Sequence, residues 1–372
     1  VVEAEGLAVS PGWVDVFADY REPGYEQKET LESGLRCAAA GGFTDVLLAP
    51  NTNPSISSKS TVQYILQKAR GNKVNIHPLG SISQQIEGKS LAEMLDMHAH
   101  GAIAFTDGWK PVQNPGLMLK ALEYVRSFDG VLMQLPIDLA LSAGGLMHEG
   151  EVSTSLGMPG VPALAETIIL HRDIELLRYT GSRLHISGVS TAEGVAMIRK
   201  AKAEGLNITC SVTPYHLVLT DEALRTYDSV FKVSPVLRSE VDRLGLVMGL
   251  KDGTIDCIAS HHRPQEWDSK AKEFEYAGDG MNIQELSFPL VYAALAGLVP
   301  LERIIDAFAV RPRKIFGLST ESIGENVRMP LSVFRTSGSW TFNAGSTASK
   351  SGNNPFQGTV FEASVIDVIN NN

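Results

Sequence analysis

The sequence predicts an α/β protein built as a (β/α)8 barrel of the TIM type with a small β appendage. Three observations predict it. Short β-rich runs alternate with longer amphipathic stretches; eight such units follow one another; and the strand segments are apolar on both faces, as in a parallel sheet closed on itself rather than an open doubly wound one. With 372 residues, 44% of them hydrophobic and 20% charged, the chain is long enough to bury a core of that size.

In chain order the strands are predicted over 12–17, 45–49, 75–80, 102–105, 130–134, 183–187, 207–212 and 255–260, each followed by a helix-like segment. The stretch 136–162 breaks the rhythm with Gly144, Gly145, Gly150, Gly157 and Gly160 and little helical periodicity, so a long loop is predicted there. Loops after barrel strands are where sites are built. Beyond Leu318 the pattern changes to short alternating runs over 331–334, 339–342 and 358–361, separated by Gly, Asn and Ser, which reads as a β appendage. The barrel is thus expected over 10–318 and the small β subdomain over 1–9 and 319–372. Because Val1 leads almost directly into a strand, that subdomain is expected to be incomplete, its N-terminal strands missing.

The net charge of -10, with no block of Lys or Arg, excludes phosphate-backbone binding as a principal function. Cys37, Cys210 and Cys257 are far apart and flanked by apolar residues, which points to small core residues rather than a disulfide framework or a metal clip, and to a reducing, cytoplasmic location. No run approaches the about 18 consecutive apolar residues a membrane span needs, and the start has neither the basic nor the apolar region of a signal peptide. Neither membrane nor nucleic acid is an expected partner.

Residues 11–24 read PGWVDVFADYREPG. On a strand, positions two apart share a side, so Phe17 and Asp19 are expected to face the same way, into the barrel mouth. The segment resembles the PGxxDxHxHxREPG signature of the cyclic amidohydrolases, above all the dihydroorotases. The likeness continues in Ala49 to Pro54 (APNTNP, similar to MPNTxP), His148 to Glu166 (similar to the long loop of the type that accompanies aspartate transcarbamoylase), Cys210 to Leu217 (CSVTPYHL, similar to CEVTPHHL) and Arg311 to Leu318 (RPRKIFGL, similar to NPAxxFGL). It therefore spans most of the chain.

The resemblance implies a zinc-dependent cyclic-amide hydrolase, yet the positions it assigns to metal ligands hold other residues. The two histidines of the first motif are Phe17 and Asp19; that of HxED is Gln134; the second of HxxHxST is Gly188, although His185 remains; and the base aspartate of ATDHAPH is His261. One aspartate of the SDDG word survives as Asp107, a candidate remnant ligand. Opening a cyclic amide at neutral pH calls for a metal-bound hydroxide, the ion lowering the water pKa from about 16 to about 7, and a base to move the proton. With these positions changed together, no metal cofactor and no catalytic residue are expected.

The substrate positions implied by the resemblance are Arg21, whose planar guanidinium suits a carboxylate, Asn51 beside it, and Ser234 in place of the family's asparagine. Other polar groups have plainer readings. His98 and His100 read as a helix-end pair on the wrong face for a barrel site; of the adjacent His261 and His262 only one can face the mouth; Asp19 reads as a partner for Arg21; and His185 and His216, in strand words, read as core histidines. Three functions remain in view. The leading one is a catalytically inactive dihydroorotase-like protein of pyrimidine biosynthesis, a homodimer acting as structural or regulatory partner of aspartate transcarbamoylase or of an active homologue. The second is an active cyclic-amide hydrolase (dihydroorotate to N-carbamoyl-aspartate) with an altered metal site drawn from Asp19, Asp107, His261 and His262. The third is a non-catalytic binder of a small carboxylated ligand.

Overall fold

The computed structural model describes residues 6–370. The expectations that fall on Val1–Glu5 and on Asn371 and Asn372 lie outside the described residues.

Eight parallel strands run in the order β2 to β6 and then β9 to β11. They are β2 (Trp13–Ala18), β3 (Phe43–Leu48), β4 (Asn75–Gly80), β5 (Ala104–Phe105), β6 (Val131–Gln134), β9 (Arg183–Ile186), β10 (Ile208–Val212) and β11 (Cys257–Ile258). All eight lie where the sequence places them, to within about three residues at each end. The ring closes just past β11, where the His261 amide donates to the Phe17 carbonyl (3.0 Å) and the Asp19 amide to the His262 carbonyl (2.9 Å). Every residue of β2 and β3 is buried, as a strand covered on both faces requires. Val14, Val16, Leu47, Leu79, Met133, Ala259 and Phe316 fill the barrel interior. On the outside, Trp13 packs against Phe288, Phe308 and Phe334.

Around the barrel run α1 (Leu31–Ala40), α2 (Lys59–Ala69), α3 (Met94–Ala99), α4 (Pro115–Arg126), α6 (Leu164–Thr180), α7 (Ala192–Ala203), the short α8 (Pro214–Val218) and α9 (Glu240–Asp252). Their starts carry the expected chemistry: Thr30 and Ser33 form a capping box on α1, and Thr191 and Ser239 accept backbone N–H groups at α7 and α9. The end opposite the strand C-termini is tied by Arg313, which donates to Asp45 (2.5 Å), Thr44 and the Gly12 carbonyl.

Two expectations need correction. Residues 136–162 are not a plain loop: a two-residue strand pair, β7 (Met147–His148) with β8 (Gly160–Val161), brackets a helix, α5 (Glu151–Leu156). Six residues are too few to show a helical period, and Gly157, at φ 65°, ends the helix as soon as it forms. His216 lies in α8, not in a strand, because Thr213 caps the backbone immediately after β10. The C-terminal tail does form β structure. In a three-stranded antiparallel sheet, β12 (Leu331–Arg335) lies between β1 (Ala8–Pro11) and β15 (Ser364–Ile369), while β13 (Trp340–Thr341) pairs with β14 (Val360–Phe361). Among the described residues no helix is long and apolar enough to cross a membrane.

Candidate functional site

The C-terminal ends of β2, β5, β9 and β11 converge on a cluster of rings. Phe17 meets Trp109 edge to face (centroids 5.0 Å) and His261 at a tilt (4.8 Å), and Trp109 meets His261 edge to face (5.5 Å). Phe17 and His261 are both buried. The place that the resemblance gives to metal ligands is thus packed with aromatic carbon.

His261 has φ 48°, a left-handed conformation uncommon for a side chain of this size, which turns its ring inward over Gly188. Its Nε2 lies 3.2 Å from Ser187 Oγ, and its Nδ1 is buried without a hydrogen-bond partner among the described residues. Burial, with the nearby Arg263 guanidinium acting the same way, pushes its pKa down to about 3, so the ring is neutral. His262 points the other way, edge to face with Tyr20 and 3.6 Å from Glu29.

The polar groups around this plug are committed to the protein. Asp19 accepts the Arg21 amide through Oδ1 and the Trp109 indole N–H through Oδ2 (2.8 Å), while the Arg21 guanidinium stands 3.2 Å from the same Oδ2. Arg21 Nε is buried with no partner among the described residues. Asn51 uses both ends of its amide, donating to the Asp107 carbonyl and accepting the Trp109 amide, both at 3.1 Å. Asp107 accepts the Ile82 and Ser83 amides and the Ser83 hydroxyl; burial raises its pKa to about 6. Gln134 makes a two-way contact with the Val112 backbone. Asp107 and Gln134 therefore hold loops, and Asn51 positions Trp109.

The remaining candidates lie apart. His185 is buried low in the barrel, bonded to Thr209 and edge-on to Phe316, and burial pushes its pKa down to about 3. His216 is bonded through both ring nitrogens, to Thr213 and the Val236 carbonyl. His98 and His100 sit at the end of α3, His98 stacked on Phe128. The three cysteines are free and buried, and burial lifts the Cys210 thiol to about 12.

A zinc ion does not fit this arrangement. Phe17 and Gly188 offer no ligand atom, Gln134 is bonded to backbone, and both Asp19 oxygens already accept hydrogen bonds. Among the described residues no group of three or more His, Cys, Asp or Glu side chains is placed to hold a metal.

Two residues that sequence reasoning did not single out shape what remains. Trp109 supplies the centre of the plug. Arg263 lays its guanidinium over the other part of that indole, 4.5 Å from the ring centroid. Both stood inside recognised words, Trp109 at the end of the SDDG remnant and Arg263 at the small-residue position of ATDHAPH; a bulky residue at each was the available signal. Beside them lies a cavity of about 230 Å³, lined in part by residues of the 136–162 segment and by Ser234, Arg238 and Arg263. Ser234 thus lies at a cavity, whereas Arg21 and Asn51 do not line it.

Comparison with known proteins agrees with this architecture. The family model described as "Dihydro-orotase-like" matches residues 6–194. A dihydroorotase of Syntrophus aciditrophicus is 40% identical over 368 residues, covering 98% of this chain and 86% of the relative; one of Pelotomaculum thermopropionicum is 40% identical over 365 residues, covering 97% and 85%. Among solved structures, the L-hydantoinase (dihydropyrimidinase) of Arthrobacter aurescens superimposes with a TM-score of 0.86 at 22% identity, covering 99% of this chain and 86% of that one, a likeness of fold. A likeness at this identity over nearly all of the chain, on an eight-stranded barrel, means that the chain belongs to the dihydroorotase family.

Proposed function

We propose that this is a dihydroorotase-like protein of pyrimidine biosynthesis that no longer performs metal-assisted hydrolysis. In this reading it serves, as a homodimer in the cytoplasm, as a structural or regulatory partner of aspartate transcarbamoylase or of an active homologue. The observation that carries the loss of hydrolysis is the packing of Phe17, Trp109 and His261 into one another where ligands and a water would have to sit. Cyclic-amide hydrolysis needs an activated water and a base in reach of it. Here the histidine at the base position is neutral and enclosed by rings, and the one hydrogen bond of its ring among the described residues runs to Ser187. The partner role is supported by the contrast between the altered site and the retained 148–166 segment, which resembles that of the transcarbamoylase-associated type.

An altered metal site using Asp19 and Asp107 is less well supported, since both carboxylates already accept hydrogen bonds from the loops they hold. The test is elemental analysis of protein purified without chelators, together with a dihydroorotate assay with and without added zinc. Less than about a tenth of an equivalent of metal and no turnover are expected. Near-stoichiometric metal with zinc-dependent turnover would overturn the reading.

A further inference from the structure

We propose that the outer face of α9 is the two-fold contact at which a second copy of this chain packs, with the two α9 helices antiparallel. This deepens the reading above and rests on its homodimer alone, naming the surface that joins the two copies.

Three observations lead to it. First, α9 carries apolar side chains on its solvent side. Leu246, Val247 and Leu250 face the core, as a helix laid on a barrel requires. On the opposite side Val241, Leu244 and Met248 stand 73%, 47% and 55% exposed at the spacing i, i+3, i+7, so they form one continuous stripe. Single exposed apolar residues are ordinary, whereas a continuous exposed apolar surface marks a contact. The neighbouring α7 instead exposes Glu193, Arg199 and Lys200.

Second, the two ends of the stripe are oppositely charged. Glu240 opens the helix and Lys251 lies in its last turn, both exposed, about three turns apart and on one flank of the stripe. Lys251 forms no ion pair among the described residues. In an antiparallel pair centred near Leu244, Val241 lies against the partner's Met248 and Glu240 beside the partner's Lys251, and the two-fold axis makes each pairing occur twice. A parallel pair would set like charges together. This self-complementarity selects a second copy over an unrelated partner.

Third, the face is neutral and firmly seated. Glu240, Asp242 and Asp252 are matched by Arg199, Arg243 and Lys251, so a chain of net charge -10 presents no excess charge here to its copy. A Cβ on Gly245 would lie 2.5 Å from Ala192 Cβ, so α9 sits close on α7, and Arg303 donates to the Leu250 carbonyl (2.8 Å).

The experiment is sedimentation equilibrium of the full chain from about 1 to 100 µM. The wild type is expected to run as a dimer of about twice 40.1 kDa. Leu244→Asp sets a charge at the centre of the contact and should weaken dimerisation by about a hundredfold or more. Its far-ultraviolet circular dichroism should stay that of the wild type, since the side chain is exposed in the single chain. A charge swap tests the antiparallel pairing without touching the stripe, and it decides the matter if Leu244→Asp does not fold. Glu240→Lys alone and Lys251→Glu alone should each weaken the dimer by about tenfold, because each sets like charges together twice. Mixed in equal amounts they should recover the wild-type affinity, because the mixed dimer has opposite charges at both places. A wild-type dimer unchanged by Leu244→Asp, or a mixture no tighter than either charge variant alone, would overturn the proposal and leave the homodimer standing. A wild-type monomer at about 100 µM would overturn both.

Discussion

The His261 ring occupies the space that a side chain at Gly188 would need: a Cβ built on Gly188 would lie 2.5 Å from His261 Cε1. Two positions that carry metal chemistry in the family resemblance have thus become one packing unit, the bulk lost at 188 being taken up by the ring at 261. Gly188 also has φ 77°, where a side chain is strained whatever the space. Gly188→Ala is expected to destabilise the wild type by about 2 to 4 kcal/mol, from strain and overpacking together. Part of this should be recovered in a His261→Ala background, where the clash is gone and the strain remains. Urea denaturation of the two single variants and the double variant measures the coupling; additive effects would show that the two residues are not one unit.

Acid should destabilise the fold through its neutral histidines. His185, His216 and His261 are pushed down to about 3, about 4 and about 3, in each case chiefly by burial. In the unfolded chain they titrate near 6.5. A group whose folded pKa is depressed contributes its full stability above the unfolded value and loses it as pH falls toward the folded one, so the window runs from about 6.5 down to about 3. Each histidine contributes at most about 1.4 kcal/mol per pH unit within it. Denaturant midpoints measured at pH 7 and pH 5 should fall in the wild type, and fall less in His185→Gln.

Much of the barrel was legible in the sequence because each strand is a local apolar run that must be buried on both faces, and periodicity reports that directly. Phe17, Gly188 and His261 could also be named from their motif words. What they do could not, since the ends of β2, β9 and β11 meet only after the barrel closes with its particular stagger, and that is a property of the whole ring. The same holds for Arg263, whose partner Trp109 comes from a loop more than 150 residues earlier in the chain. Asn51 was read as a substrate contact from its word alone. Its amide could equally serve a neighbouring backbone, and only the placement of Gly108 and Trp109 shows that it does.

Removing the Asn51 amide should loosen the plug rather than simply weaken a ligand contact. Gly108 has φ 58°, and a Cβ there would lie 1.9 Å from Asn51 Oδ1, so the loop and the amide are fitted closely. Asn51→Ala leaves the Trp109 amide and the Asp107 carbonyl without these bonds, at an expected cost of about 1 to 3 kcal/mol. The Trp109 indole N–H, which donates to Asp19, reports on the geometry by NMR, its signal assigned by its loss in Trp109→Phe. In Asn51→Ala that signal should shift and exchange with solvent faster. An unchanged signal with unchanged stability would mean that the amide does not position the indole.

Asp107 separates a remnant metal ligand from a structural carboxylate. As a structural group it holds the Ile82 and Ser83 amides and the Ser83 hydroxyl, contacts an asparagine can reproduce, since its carbonyl can accept from the two amides while its amino group donates to the hydroxyl. Burial raises the Asp107 pKa from 3.8 to about 6. Between those values the folded state keeps a proton that the unfolded chain has released, so this group's stabilising contribution is full below about pH 4 and is lost as pH rises through about 6. The histidines act in the opposite direction, so the comparison must be with the variant at the same pH. Relative to wild type, Asp107→Asn should gain stability as pH rises from 4 to 7, by at most about 3 kcal/mol. A carboxylate retained for a cation would give a different result: Asp107→Asn would be no more stable at pH 7, and added zinc would raise the melting temperature of the wild type alone.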